Sequence, residues 1–286
     1  MQFPQLGTLW RRDGIRAKLW NQAELFRPRS CGRALGDRAK ARGPKRRQGD
    51  SRVQFNTGQR ELTLKIVYYG PGLSGKTTNL RELYQRIQPE LRGHLMTLDT
   101  ADDRTLFFDT LPVVFTAGTL KVKLKLFTVP GQVMHNSTRR IVLQGTDAIA
   151  FIADSQPAKR QENYKYWLNM VENLKANGLD IDSMPHVVQW NKKDLGDAST
   201  DEAIEKMRRE NKQPVYEAVA VRGEGVVETF LGLVELTFEQ IDKVYLLSQK
   251  IGLDRRAFVE EVRRCLVNPP AKDGPSGGGK TGTDGA

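Results

Sequence analysis

The chain has 286 residues, with 45 Lys+Arg against 34 Asp+Glu, a formal net charge of +11, and only two cysteines. Cys31 and Cys265 lack CxxC spacing, which argues against a disulfide framework or a zinc site and fits a reducing cytosol. No run approaches the ~18 apolar residues of a membrane span, so an integral membrane segment is not expected.

The charge sits at one end. Residues 1–60 hold 15 of the 45 basic and 4 of the 34 acidic groups, so the remaining 226 residues carry 30 of each. The surplus therefore gives no basic face to the rest of the chain, and no specific nucleic-acid binding is expected of it. Residues 1–52 read as a basic, disordered extension, with too little apolar surface to offset ordering entropy. It contains Lys45-Arg46-Arg47 and a weak amphipathic pattern through Leu9, Trp10, Ile15, Leu19, Trp20 and Leu25. Such a segment could touch anionic lipid or nucleic acid, or serve as an organellar transit peptide. Core-like sequence begins at Val53, and a GTG start codon read as Val there is an equally open reading.

The first predicted element is a buried strand, Leu62–Tyr69, carrying Leu62, Leu64, Ile66, Val67, Tyr68 and Tyr69. It delivers Gly70-Pro71-Gly72-Leu73-Ser74-Gly75-Lys76-Thr77, the pattern G-x-x-x-x-G-K-[ST], and a helix over Gly75–Gln88 leaves it. Glycines let successive amides wrap around phosphate oxygens, and the new helix adds the positive end of its dipole. Gly70, Gly72, Leu73, Ser74, Gly75, Lys76, Thr77 and Thr78 are the expected phosphate-binding residues. Lys76 would bridge the β- and γ-phosphates, and the Thr77 hydroxyl would bind Mg²⁺.

Strands at Leu111–Thr116 and Lys121–Thr128 form a hairpin across Ala117-Gly118-Thr119. The second alternates Val122, Leu124 and Leu126 with Lys121, Lys123 and Lys125, which predicts one wet face and an edge position. Further strands are expected at Asp147–Ala153, His186–Asn191 and Val215–Ala220. Helices are expected at Gln156–Asn177, Thr200–Asn211, Val226–Lys250 and Arg255–Leu266. Six strands alternating with helices predict an α/β P-loop fold, a mixed sheet flanked by helices, over residues 53–250. An extra C-terminal helix falls in 251–267 and a Gly/Pro-rich disordered tail in 268–286. That tail repeats the loop pattern at Gly274–Thr281, but without a strand before it or room for a helix after it. We read no site there.

A phosphate loop does not choose a base. Asn191-Lys192-Lys193-Asp194 follows the strand His186–Asn191 at the end where open sheets bind ligands. The Asp194 carboxylate can accept from N1–H and the 2-amino group of guanine, a donor pair adenine lacks. Asn191 would donate to N7 and tie this loop to the phosphate loop, with the Lys192 stem along the base. The Ala220 amide would reach the guanine carbonyl.

With these pieces placed, the chain resembles the small Ras-like GTPases, and within them the bacterial gliding-motility and polarity family called MglA. The likeness spans about Val53 to Tyr245 and rests on three strings beyond the generic motifs. They are Lys65–Gly72, Asp103-Arg104-Thr105-Leu106-Phe107-Phe108-Asp109, and Thr128-Val129-Pro130-Gly131-Gln132. The resemblance implies a Ras-like G domain that binds GTP/GDP with Mg²⁺ and hydrolyses GTP. It makes Thr105 the first-switch threonine on Mg²⁺ and the γ-phosphate, and Gly131 the second-switch hinge. Gln132 becomes the residue that orients water and Arg104 an arginine finger supplied in cis. It also implies a roadblock-type, MglB-like activating partner, polarity or motility effectors, and a cytoplasmic protein recruited to a cell pole.

Thr128 stands where the wider Ras pattern has a metal-binding Asp. A hydroxyl grips Mg²⁺ less than a carboxylate, so weaker metal dependence and slow unassisted turnover are expected. Two alternatives follow: a GTP-binding scaffold with negligible hydrolysis, and a P-loop kinase or ATPase.

Overall fold

The computed structural model describes residues 54–56, 58–98, 108–132, 135–196, 209 and 213–267. Its centre is an eight-stranded sheet. The strands are β1 (Gln54–Asn56), β2 (Glu61–Tyr69), β3 (Met96–Leu98), β4 (Phe108–Ala117), β5 (Leu120–Thr128), β6 (Ala148–Asp154), β7 (His186–Asn191) and β8 (Val215–Ala218). They run in the order β3-β4-β5-β2-β6-β7-β8, with β1 beside β2. β2 pairs parallel with β5 and β6, and β6-β7-β8 continue parallel. The β4–β5 hairpin is antiparallel.

Alternate residues of β2 feed two cores. Leu62, Leu64, Ile66 and Tyr68 join a cluster with helices α1 (Lys76–Arg86) and α4 (Val226–Tyr245). Val67 and Tyr69 point the other way, into a cluster with α3 (Arg160–Ala176). The period-two alternation of a strand thus becomes a helix layer on each face. β6 is buried at every residue because both layers cover it.

Several expectations need correction. β5 is interior, between β4 and β2. Its lysines are wet because the described helices on that side, α2 (Asn136–Val142) and α3, pack farther along the sheet. The alternation reported an uncovered face and not a missing neighbour. The six expected strands become eight through β1 and β3, each three residues long. α2 was not foreseen.

The long helix expected to reach Lys250 ends at Tyr245. Leu246 turns left-handed (φ 55°), and the Asp242 carboxylate takes Ser248 N and Oγ at 2.8 and 2.6 Å. The chain restarts as α5 (Leu247–Ile251) and α6 (Arg255–Arg264). Asp254 caps α6 through Ala257 N, and Phe258, wholly buried, stacks on Phe238 at 4.7 Å. The helix expected over Thr200–Asn211 falls almost wholly outside the described residues.

Candidate functional site

The loops at the carboxyl ends of β2, β7 and β8 converge. β2 delivers Gly70–Gly75, and α1 starts at Lys76. Gly75, the residue before the helix, has φ 101°, a left-handed conformation that disfavours side chains. A Cβ there would lie 2.1 Å from Asn191 Nδ2. That space lets Asn191 Nδ2 donate to the Ser74 carbonyl at 2.8 Å, while Asn191 Oδ1 accepts from Ala220 N at 2.9 Å. One buried amide therefore joins the phosphate loop, the Asn191–Asp194 segment and the loop after β8. The expected tie is present. The Ala220 amide, expected on the base, is directed at Asn191.

Lys192 holds φ 66°, and its ammonium pairs with the buried Asp154 at 2.6 Å. This lays the Lys192 stem across the mouth between the β6 and β7 loops. Ser155 Oγ fixes the same turn through the Lys192 carbonyl at 3.0 Å. The Asp194 carboxylate is partly exposed, 3.9 Å from Arg222.

Beside the phosphate loop lies a cleft of about 300 Å³ lined by Gly72, Leu73, Lys76, Thr77, Arg81, Asp109 and residues 128–131. Lys76 is buried and donates to the carbonyls of Gly70 (3.0 Å) and Pro71 (2.5 Å). Burial lowers its pKa to about 7, and Arg139 adds to the depression against the opposing pull of Asp109 and Glu162. An ammonium so placed gains greatly from an anion. Thr78 lies in the first turn of α1, and Leu73 is 90% exposed at the rim.

Asp109 is the residue that sequence reading missed. Its Oδ2 accepts from Thr77 Oγ1 at 2.6 Å and from Thr128 Oγ1 at 3.0 Å, and its N–H donates to Thr128 Oγ1 at 2.8 Å. It is 5% exposed at the cleft. The carboxylate absent at Thr128 is thus present in space, one strand away. Two hydroxyls and a carboxylate are hard oxygen donors, a set that fits Mg²⁺. The signal was a lone acid in an apolar stretch of sequence, Phe107-Phe108-Asp109.

Gly131 packs onto the phosphate loop so closely that a Cβ on it would lie 2.3 Å from Gly72 Cα. The loop is held from behind by Tyr166 Oη, which donates to the Gly131 carbonyl at 2.6 Å. Buried Arg139 donates to the carbonyls of Pro130 and Gln132. The Gln132 side chain is exposed, with Oε1 3.1 Å from His135 Nε2. Arg104 and Thr105 lie outside the described residues.

The ADP-ribosylation factor family model matches residues 51–237. The mutual gliding-motility protein MglA of Myxococcus xanthus (strain DK1622) is 41% identical over 192 residues, 66% of this chain and 97% of that protein.

Proposed function

The chain belongs to the ADP-ribosylation factor family, as a small GTPase of the MglA type, and from that premise we propose a switch that binds GTP, hydrolyses it to GDP and serves gliding motility or cell polarity. The observation that supports the site assignment is the pair of hydrogen bonds of Asn191, which ties the phosphate loop, the Asn191–Asp194 segment and the loop after β8 together.

In this reading Lys76 leaves the Gly70 and Pro71 carbonyls for the β- and γ-phosphates, and Gly70 to Thr78 cradle them with backbone amides. Asp194 and Asn191 read guanine, with Lys192 along its face. The Thr128 hydroxyl would orient Asp109. Thr77 and Asp109, joined by Thr105, would hold Mg²⁺, which would supply positive charge against the phosphate oxygens. Gln132 orients the attacking water, Arg104 stabilises charge on the γ-phosphate oxygens, and the Gly131 N–H senses that group.

Unassisted turnover is slow because Gln132 faces His135 and solvent, away from the cleft lining. A roadblock-type, MglB-like dimer would turn Gln132 inward and settle Arg104. Recruitment to a cell pole would follow the nucleotide state. The Asp109 carboxylate weakens the motive for a non-hydrolysing scaffold, and the Asn191–Asp194 segment argues against an ATPase.

Competition for fluorescent mant-GDP tests the binding half. GDP and GTP should displace the probe, ATP should not, and Lys76→Ala should lose binding. ATP competing as well as GTP would overturn the assignment.

A further inference from the structure

Residues 189 and 191 lie on the same face of β7, one pair apart. Asn191 bridges the phosphate loop and the loop after β8. One pair deeper, Gln189 makes a second bridge between the same two regions. Its Oε1 accepts from Asn79 Nδ2 at 2.9 Å, and its Nε2 donates to Asn79 Oδ1 at 3.0 Å and to Thr229 Oγ1 at 2.8 Å. Asn79 Nδ2 also donates to the Gly75 carbonyl at 2.9 Å, and Thr229 Oγ1 donates to the Gly225 carbonyl at 2.6 Å.

The chain of contacts runs Gly75–Asn79–Gln189–Thr229–Gly225. All three side chains are 0% exposed. Both hydrogens of each amide and the Thr229 hydroxyl hydrogen are used. Gly75 and Gly225 are the residues that precede α1 and α4, and both have positive φ (101° and 72°). A Cβ on Gly225 would lie 2.0 Å from the Glu217 carbonyl oxygen, so the turn into α4 has little room to drift. Apolar side chains could fill this volume. An apolar trio would not fix the distance between two helix starts, whereas a saturated amide chain does.

We propose that Asn79, Gln189 and Thr229 are positioning residues for nucleotide binding. They lock the phosphate loop at Gly75 to the loop after β8 ahead of Gly225, and so hold together the two sides of the proposed guanine-nucleotide site. This rests on the site assignment above. None of the three touches the nucleotide; each acts through the loops that do. Loosening the lock lets the two halves of the pocket separate, and the bound nucleotide leaves faster.

The test is the release rate of mant-GDP from full-length protein in Mg²⁺. Gln189→Asn keeps an amide but shortens its reach by one methylene, so it cannot span Asn79 and Thr229 together. It should release mant-GDP about tenfold faster, the loss expected of about one buried hydrogen bond. Adding Asn79→Gln returns the missing methylene from the other side and should bring release back towards the wild-type rate. Asn79→Leu with Gln189→Leu removes the reciprocal amide pair and leaves neither half orphaned. Its thermal midpoint should stay near wild type while its release stays fast.

Release from Gln189→Asn at the wild-type rate, or no recovery in the Asn79→Gln double variant, overturns the proposal. Failure of the wild-type protein to hold mant-GDP against ADP would instead sink the site assignment itself, since only variant-to-wild-type ratios bear on the lock.

Discussion

Lys76 and Asp109 are the buried charged residues that line the cleft, and each makes a prediction. The Lys76 pKa is lowered from 10.5 to about 7 by burial. Between those values the unfolded chain holds a proton the folded one lacks, so the nucleotide-free fold gains stability as pH rises through that window. Phosphate oxygens would restore the charge on the lysine. GDP binding at about pH 8.5 should therefore take up a proton, and affinity should fall as pH rises above about 7. Calorimetry in buffers of different ionisation enthalpy reads this directly, and zero uptake would contradict the arrangement. For Asp109, the carboxylate accepts from the Thr77 and Thr128 hydroxyls, and the proposal gives it a place on Mg²⁺. Asp109→Asn should raise the Mg²⁺ concentration needed to slow mant-GDP release by about tenfold or more, in keeping with loss of a charged partner. An unchanged Mg²⁺ requirement would remove Asp109 from the metal site.

Among the elements, the loop after β5 is pressed against the backbone of the phosphate loop and held from behind by Tyr166 and Arg139. Gly131→Ala places a methyl carbon 2.3 Å from Gly72 Cα, and neither backbone can yield cheaply. Single-turnover hydrolysis should fall at least about tenfold while mant-GDP is retained, because the loops holding the base are untouched. The C-terminal helix α6 is tied down by Phe258, stacked on Phe238 of α4 and 6.0 Å from Phe115 of β4. Phe258→Ala should cost about 3–5 kcal/mol in urea unfolding. The strand, loop and helix around Gly70–Thr77 were legible in the sequence because apolar period and glycine spacing are local signals. β1, β3 and α2 were not, since segments of three to seven residues are stabilised by their neighbours more than by their own pattern. Asp109 was hidden for a related reason. It meets Thr128 only through the β4–β5 register that sets Thr110 opposite Phe127, and Thr77 only once α1 has folded back over the sheet.

For the whole molecule, a mixed sheet with helices on both faces gathers the carboxyl ends of its parallel strands β2, β6, β7 and β8 at one rim. That is why Asn191, 115 residues beyond Lys76 in the chain, meets the loop that carries Lys76. The helical strap after residue 237 lies beyond the matched family segment, yet it joins the main core through Leu253, Phe258, Val262 and Cys265. No described helix is long and apolar enough to cross a membrane. Hydrolysis of GTP is read by phosphate release from the purified full-length chain at saturating nucleotide. Release from GTP should be slow, accelerated by a roadblock-type dimer, and unaccelerated in Gln132→Leu, with only background release from ATP. Release from ATP at or above the GTP rate, or none from GTP even with the dimer present, would contradict a GTP-hydrolysing switch.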